Sequence, residues 1–289
     1  MLETSFARLS NGRRLRYSRL DGGSGVPLVL LHGYPENLLI YSRLAPLLAP
    51  EREVLAFDWP GLGASDPWGT GASPVQMAER LLPVLDHFAL DRVSLFGLDM
   101  GGQPALVAAS TCRDRIDSVV VSNSLVLWDE PTSWEIQLLR KRGWNRLLIE
   151  NLPRLVFRRA KQSFVERGPR LSREIEEDFW EHFRRREVRR FLSRMCAGYQ
   201  GLLPRLPAYY EKIRCPVLVL WGERERHFPL AHAHRLQELV PSSELVVVSS
   251  GEHWMAWTRA AEVARCVRRF LDRPARTQAP VGGSTEQTM

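Results

Sequence analysis

Cysteine is scarce in this chain: the four residues, Cys112, Cys196, Cys215 and Cys266, stand far apart in a length of 289. That spacing offers neither the paired thiols of a zinc site nor the framework of a disulfide-stapled secreted domain. Long apolar runs are missing too, because charges interrupt every candidate before it reaches the roughly 18 residues a membrane helix needs. The opening Met1-Leu2-Glu3-Thr4-Ser5 has no basic stretch leading into an apolar core, so no secretory signal is expected. The histidines do not cluster at ligand spacing, and no glycine-rich turn carries a dinucleotide fingerprint. No metal and no organic cofactor are therefore expected. With 44% hydrophobic and 25% charged residues, the composition avoids disordered and collagen-like extremes. A soluble, reduced, cytoplasmic protein fits best, as one large domain with an insertion.

What the chain does possess is lopsided charge. The formal net charge is +7, yet residues 140–205 hold 18 Lys or Arg against 8 Asp or Glu, a local balance of +10. A basic patch attracts nucleic acid, acidic lipid or anionic substrate. Here the runs Arg184-Arg185-Arg186 and Arg189-Arg190 sit beside Glu174, Glu176, Glu177 and Glu187, and no aromatic-interleaved or Gly-rich RNA motif accompanies them. They read as solvated helix faces, so neither nucleic acid nor a membrane is expected as a partner.

Hydropathy alternates between two periods. Residues 13–20 alternate with period two, and residues 27–31, 53–57 and 92–96 are short continuous apolar runs typical of strands buried on both faces. Residues 74–89 place Met77, Leu81, Leu82, Val84, Leu85 and Phe88 at helical spacing, and the Ala- and Leu-rich 101–110 follows the third run. Strand character recurs at 117–122, 216–221 and 244–248, with a closing helix over 259–271. Between them, 128–205 is Arg- and Trp-rich and helical in period. Repeated strand–helix alternation implies an α/β fold with a parallel sheet covered on both faces. Residues 1–127 and 206–272 are expected to form its core, 128–205 an inserted helical cap, and 273–289 a disordered tail.

Chemistry concentrates where strands end. Gly97-Leu98-Asp99-Met100-Gly101 lies directly after one predicted strand and before a helix, the context of a nucleophile elbow. A plain turn with Asp99 as helix cap is the simpler alternative. Other segments weigh against it. Leu31-His32-Gly33-Tyr34-Pro35 follows an earlier strand, and its turn aims the Tyr34 amide toward the elbow. With the Met100 amide this makes a two-donor oxyanion hole. Trp221-Gly222-Glu223-Arg224-Glu225 offers an acid after a later strand, and Ser249-Ser250-Gly251-Glu252-His253 a histidine after the last. The order is nucleophile, acid, histidine.

On these motifs the chain resembles the α/β-hydrolase superfamily over residues 4–272. Within it, the chain looks like the aspartate-nucleophile branch of epoxide hydrolases, haloalkane dehalogenases and fluoroacetate dehalogenases. The resemblance implies an eight-stranded, mostly parallel sheet under a helical cap. It also implies Asp99 as nucleophile, His253 as base, Glu225 as the acid orienting His253, and Tyr34 and Met100 as the oxyanion hole. Glu223 and Asn123 remain alternative acids and His227 an alternative base. His32 is expected to make a structural hydrogen bond. An aspartate, ionised near neutrality from its ordinary pKa of about 3.9, attacks an sp³ carbon to give an alkyl ester that His253-activated water hydrolyses.

The leaving group separates the activities. Met100 and Tyr34 stand where haloalkane dehalogenases usually carry halide-binding tryptophan and asparagine. Met100 and Gln103 stand where fluoroacetate-type enzymes carry arginines. His32-Gly33-Tyr34-Pro35-Glu36 is closer to the motif of epoxide hydrolases, and Tyr199 in Cys196-Ala197-Gly198-Tyr199 stands where these families place a leaving-group ligand. Tyr209 and Tyr210 are further candidates, and Tyr199 as a packing residue is the plainer alternative. Trp144, with Trp128, Trp134 and Trp180, is expected as pocket wall or cap core. The expectation is an epoxide-hydrolase-like enzyme acting on a small apolar substrate, with a dehalogenase or a non-catalytic binder as alternatives.

Overall fold

The computed structural model describes residues 1–69, 71–141 and 143–273. Its centre is a seven-stranded sheet built from β1 (Ser5–Arg8), β2 (Arg14–Leu31), β3 (Arg52–Phe57), β4 (Val93–Leu98), β5 (Ile116–Ser122), β6 (Val217–Gly222) and β7 (Ser243–Val248). The order is β1-β2-β4-β5-β6-β7, with β3 also paired to β2. β4 and β6 are buried at every position, which is why their sequences read as unbroken apolar runs.

Seven strands replace the eight expected because residues 13–20 and 27–31 belong to one continuous strand. Its two arms both pair with β3: Tyr17 with Phe57 and Leu20 with Val54 along the first, Leu28 with Val54 and Leu31 with Phe57 along the second. Hydrogen bonding carries through the bend, so no break separates them. β1, a four-residue antiparallel edge, was not anticipated; it is too short for a period to register.

The helices flanking the sheet form two packed groups. One includes Pro74–His87 and Gly102–Thr111, and the other Ala45–Leu48 and Ala260–Leu271. Ser73 and Gln76 close a capping box at the start of Pro74–His87. Ala260–Leu271 turns Ala260, Val263, Ala264, Val267 and Phe270 inward, the spacing that marked it as a helix. Between β5 and β6 the described chain forms only helices, chiefly Trp134–Arg140, Pro153–Phe164, Arg173–Phe183 and Arg186–Leu202.

This insertion is tied to the core by charge. Asp178 accepts two bonds from the buried Arg16 of β2, at 3.0 and 2.9 Å, and a third from Asn37 at 2.6 Å. Of the expected tail only Arg273 is described, its guanidinium on Glu244; 274–289 lie outside the described residues. No helix among the described residues is long and apolar enough to cross a membrane.

Candidate active site

Parallel strands bring the loops after their carboxyl ends to one edge of the sheet, and every candidate residue of the core sits there. Asp99 follows β4 directly, with φ at 50°, a left-handed backbone that a β-bearing residue adopts only under constraint. The constraint is close packing. A Cβ on Gly101 would lie 2.0 Å from the Leu31 carbonyl oxygen, and one on Gly97 would lie 2.5 Å from that of Gly101. Only glycine lets the turn fold so tightly. Ser124 Oγ then pins the Asp99 carbonyl at 2.5 Å. The carboxylate is thrust into a buried space, not left on the helix end as a solvent-facing cap.

The loop after β2 meets it. The Tyr34 amide donates to Asp99 Oδ2 at 2.8 Å. This approach depends on Gly33, where a Cβ would come within 2.4 Å of Asp99 Cβ and Oδ2. His32 stays structural: its Nδ1 faces the Gly33 carbonyl at 2.8 Å, and its Nε2 accepts from the Trp59 amide at 3.1 Å. Burial lowers its pKa, consistent with a neutral ring that donates from Nδ1.

His253 arrives from the loop after β7. Its Nδ1 lies 2.7 Å from Glu225 Oε2, and its Nε2 faces Asp99 Oδ1 at 4.0 Å with no hydrogen-bond partner. Glu225 is held in turn by the amides of His227, at 2.7 Å, and Phe228, at 3.2 Å, both on Oε1. The extra methylene of glutamate is thus accommodated by a loop that grips the far oxygen. Phe164 of the insertion lays its ring 4.2 Å from the imidazole centroid.

The alternatives fall elsewhere. Glu223 is exposed and accepts from the Ser250 amide at 2.8 Å, capping a turn. Asn123 donates to the carbonyls of Glu252 and His253 and accepts from the Gly222 amide at 2.9 Å, clamping two loops together. His227 points its Nδ1 to Ser133 Oγ at 2.8 Å, and burial drives its pKa down to about 4.

The charges of the site are strongly perturbed. Burial pushes Asp99 up to about 6, although His253 and the Tyr34 and Met100 amides pull it down. For His253 burial works downward, but Glu225 first and then Asp99 and Glu36 carry it up to about 9. Near neutrality the resting pair is therefore carboxylate and imidazolium. Glu36, unforeseen from sequence, is buried beside them and raised by desolvation to about 8. Its oxygens accept from the Gly33 amide at 3.0 Å and from Trp254 Nε1 at 3.1 Å.

Two tyrosine hydroxyls also enter. Tyr199 and Tyr34 are both buried; the Tyr34 hydroxyl has no hydrogen-bond partner, and that of Tyr199 meets only the Gln103 side chain. Burial raises both, and Cys196 and Asp99 raise them further; a hydrogen bond with the Gln103 side chain draws Tyr199 the other way. Sequence reasoning counted Tyr34 for its amide alone. Tyr210 is not available, since its hydroxyl donates to the Val126 carbonyl at 3.0 Å.

Trp144 is a correction. It opens a short helix after Gly143, whose φ of 92° redirects the chain, and its side chain is 52% exposed. Trp134 is exposed as well, so neither lines the pocket, whereas Trp180 packs against Phe157 and Phe183. Among the described residues, no group of three or more His, Cys, Asp or Glu is arranged to hold a metal ion.

The chain belongs to the alpha/beta hydrolase fold family, whose model matches residues 26–260. The 2-hydroxy-6-oxononadienedioate/2-hydroxy-6-oxononatrienedioate hydrolase 2 of Pseudomonas putida is similar at 28% identity over 280 residues, covering 92% of this chain and 95% of that one. A soluble epoxide hydrolase of Corynebacterium sp. (strain C12) is 35% identical over 118 residues, 41% of each chain. The solved structure of the epoxide hydrolase CorEH superposes with a TM-score of 0.78 at 24% identity, covering 93% of this chain and 98% of that one. At that identity the likeness speaks for the fold.

Proposed function

We propose that this chain is a hydrolase in which Asp99 attacks an sp³ carbon, and that its substrate is a small apolar epoxide held under residues 128–205 as a cap. The observation that carries the reading is the pair of buried phenols, Tyr34 and Tyr199, both of which feel the charge of a carboxylate held by the Tyr34 amide. An epoxide leaves as an alkoxide and needs a proton; a phenol supplies one.

In the first step Asp99 Oδ1 bonds to an epoxide carbon as the carbon–oxygen bond breaks, and a tyrosine hydroxyl protonates the departing oxygen. Oδ2 remains on the Tyr34 amide and becomes the carbonyl oxygen of the ester. Water then adds to Cγ, giving its proton to His253 Nε2, and Oδ2 carries the tetrahedral charge in the same amides. Collapse returns the carboxylate and releases the diol. A halide leaving group finds less support. The indole N–H groups of Trp59 and Trp254 are already donated, to the His32 carbonyl at 3.0 Å and to Glu36 at 3.1 Å.

Turnover of styrene oxide in oxygen-18 water, followed by mass spectrometry of the diol and of the protein, tests this. One solvent label in the carboxylate of Asp99 after several turnovers is expected. Tyr199→Phe and Tyr34→Phe should each slow ester formation about tenfold or more, and the double variant more still. Rapid bromide release from 1,2-dibromoethane with no action on the epoxide would replace the reading with a dehalogenase, and inertness toward both would leave a binder.

A further inference from the structure

Large hydrophobic side chains are not exposed at random. Nine are exposed among the described residues, and five of them, Trp134, Trp144, Leu147, Leu152 and Leu155, fall within residues 134–155 of the insertion. The helix Pro153–Phe164 buries Phe157, Ala160, Ser163 and Phe164, and turns Arg154, Leu155, Arg158 and Gln162 to solvent. Leu152, Leu155 and Trp180 line a shallow open groove of about 750 Å³, with Arg154 and Arg184 at its rim. Arg184 is bridged to Glu181, but Arg154 and Arg158 have no carboxylate partner among the described residues. This face belongs to the stretch with the +10 balance, on a chain whose total is +7.

We propose that this face docks onto an anionic lipid bilayer. The occupant must take up leucine and tryptophan side chains and neutralise arginines at once. A nucleic acid offers phosphates but no apolar depth for Leu152 and Leu155. A second copy related by a twofold axis would set the same arginines against themselves. An anionic bilayer supplies headgroup phosphates for the guanidinia and an acyl boundary for the leucines, with tryptophan at home between them. The expectation of no membrane partner rested on reading the runs Arg184-Arg185-Arg186 and Arg189-Arg190 as solvated faces beside glutamates, and Arg154 and Arg158 lie outside those runs.

The test is cosedimentation of the full chain with unilamellar vesicles of phosphatidylcholine alone or with one third phosphatidylglycerol. Binding to the anionic vesicles at least about tenfold stronger than to the neutral ones, and lost at high salt, is expected. Leu152→Ser combined with Leu155→Ser should weaken that binding about tenfold, with circular dichroism and Tm unchanged; Arg154→Glu with Arg158→Glu should abolish the preference for charge. No pelleting, or equal pelleting with both vesicles, overturns the proposal. So does self-association that the double leucine variant abolishes, or binding of duplex DNA that it leaves intact.

Discussion

Replacing Glu225 by glutamine isolates the acid that supports the imidazole. The side chains of Glu225 and His253 are essentially inaccessible and 2.7 Å apart. His253 is raised from 6.5 to about 9 against the opposing effect of burial, and Glu225 leads the groups that raise it. Glu225 is therefore the leading support of the imidazolium against the cost of burying it. Glutamine keeps the volume and can still accept from the His227 amide, but presents an N–H to Nδ1. Nδ1 must then accept, the ring proton moves to Nε2, and the atom facing Asp99 ceases to be a base. Hydrolysis of the ester is expected to slow about 10²-fold or more, as for loss of a general base, while its formation persists. In a single-turnover experiment at neutral pH, intact-protein mass spectrometry should show one alkyl group per chain accumulating on Asp99. Turnover within about threefold of the parent, with no adduct, would refute the assignment of Glu225.

Four other outcomes follow. Gly33→Ala drives a methyl into Asp99 and should cost more than about 10²-fold in turnover with little change in circular dichroism, since the clash is with the proposed nucleophile itself. Asp178→Asn leaves Arg16 buried with only Asp58, 3.6 Å away, and should destabilise the fold by about 2–3 kcal/mol, read as a Tm lowered by roughly 5 °C. Burial opposes protonation of His182, but Asp178 raises it, so its stabilisation is present below its unfolded pKa of about 6.5 and lost as pH rises through the raised value; the Tm deficit of His182→Gln should be largest in acid and shrink as pH rises above about 6.5. Ester formation, which needs Asp99 ionised, should rise with pH through about 6 in single-turnover kinetics.

What was legible in the sequence depended on how local its cause was. The elbow, the Tyr34 amide and the order Asp99, Glu225, His253 were readable because tight strand-to-helix turns demand glycine at neighbouring positions. The bend that fuses the first predicted strands left no such mark. Side-chain direction in the insertion was illegible: nothing in the residues beside Trp144 and Tyr199 separates them, yet one is exposed and the other buried. Glu252 passed unnoticed as the neighbour of His253. Its carboxylate accepts the amides of Glu166, Arg167 and Gly168, at 3.2, 2.7 and 3.1 Å, and so fastens the insertion to the loop of His253. Those partners are some 85 positions away, and no periodicity links them.

The perturbed charges also suggest why the proposed cycle runs in one direction. At rest His253 is an imidazolium, because two carboxylates hold it so, and an imidazolium cannot activate water. Alkylation converts the Asp99 anion into a neutral ester and removes one of those supports. The proton His253 then gives up is the one needed to restore the tyrosine that protonated the epoxide oxygen, so the ester state is left with a neutral imidazole. Water is thus activated only after there is an ester for it to attack. When hydrolysis regenerates the carboxylate, His253 keeps the proton taken from water and the resting pair reforms. The 4.0 Å between Nε2 and Oδ1 is close enough for the two charges to control one another, while the lack of a direct hydrogen bond leaves Oδ1 free to attack carbon.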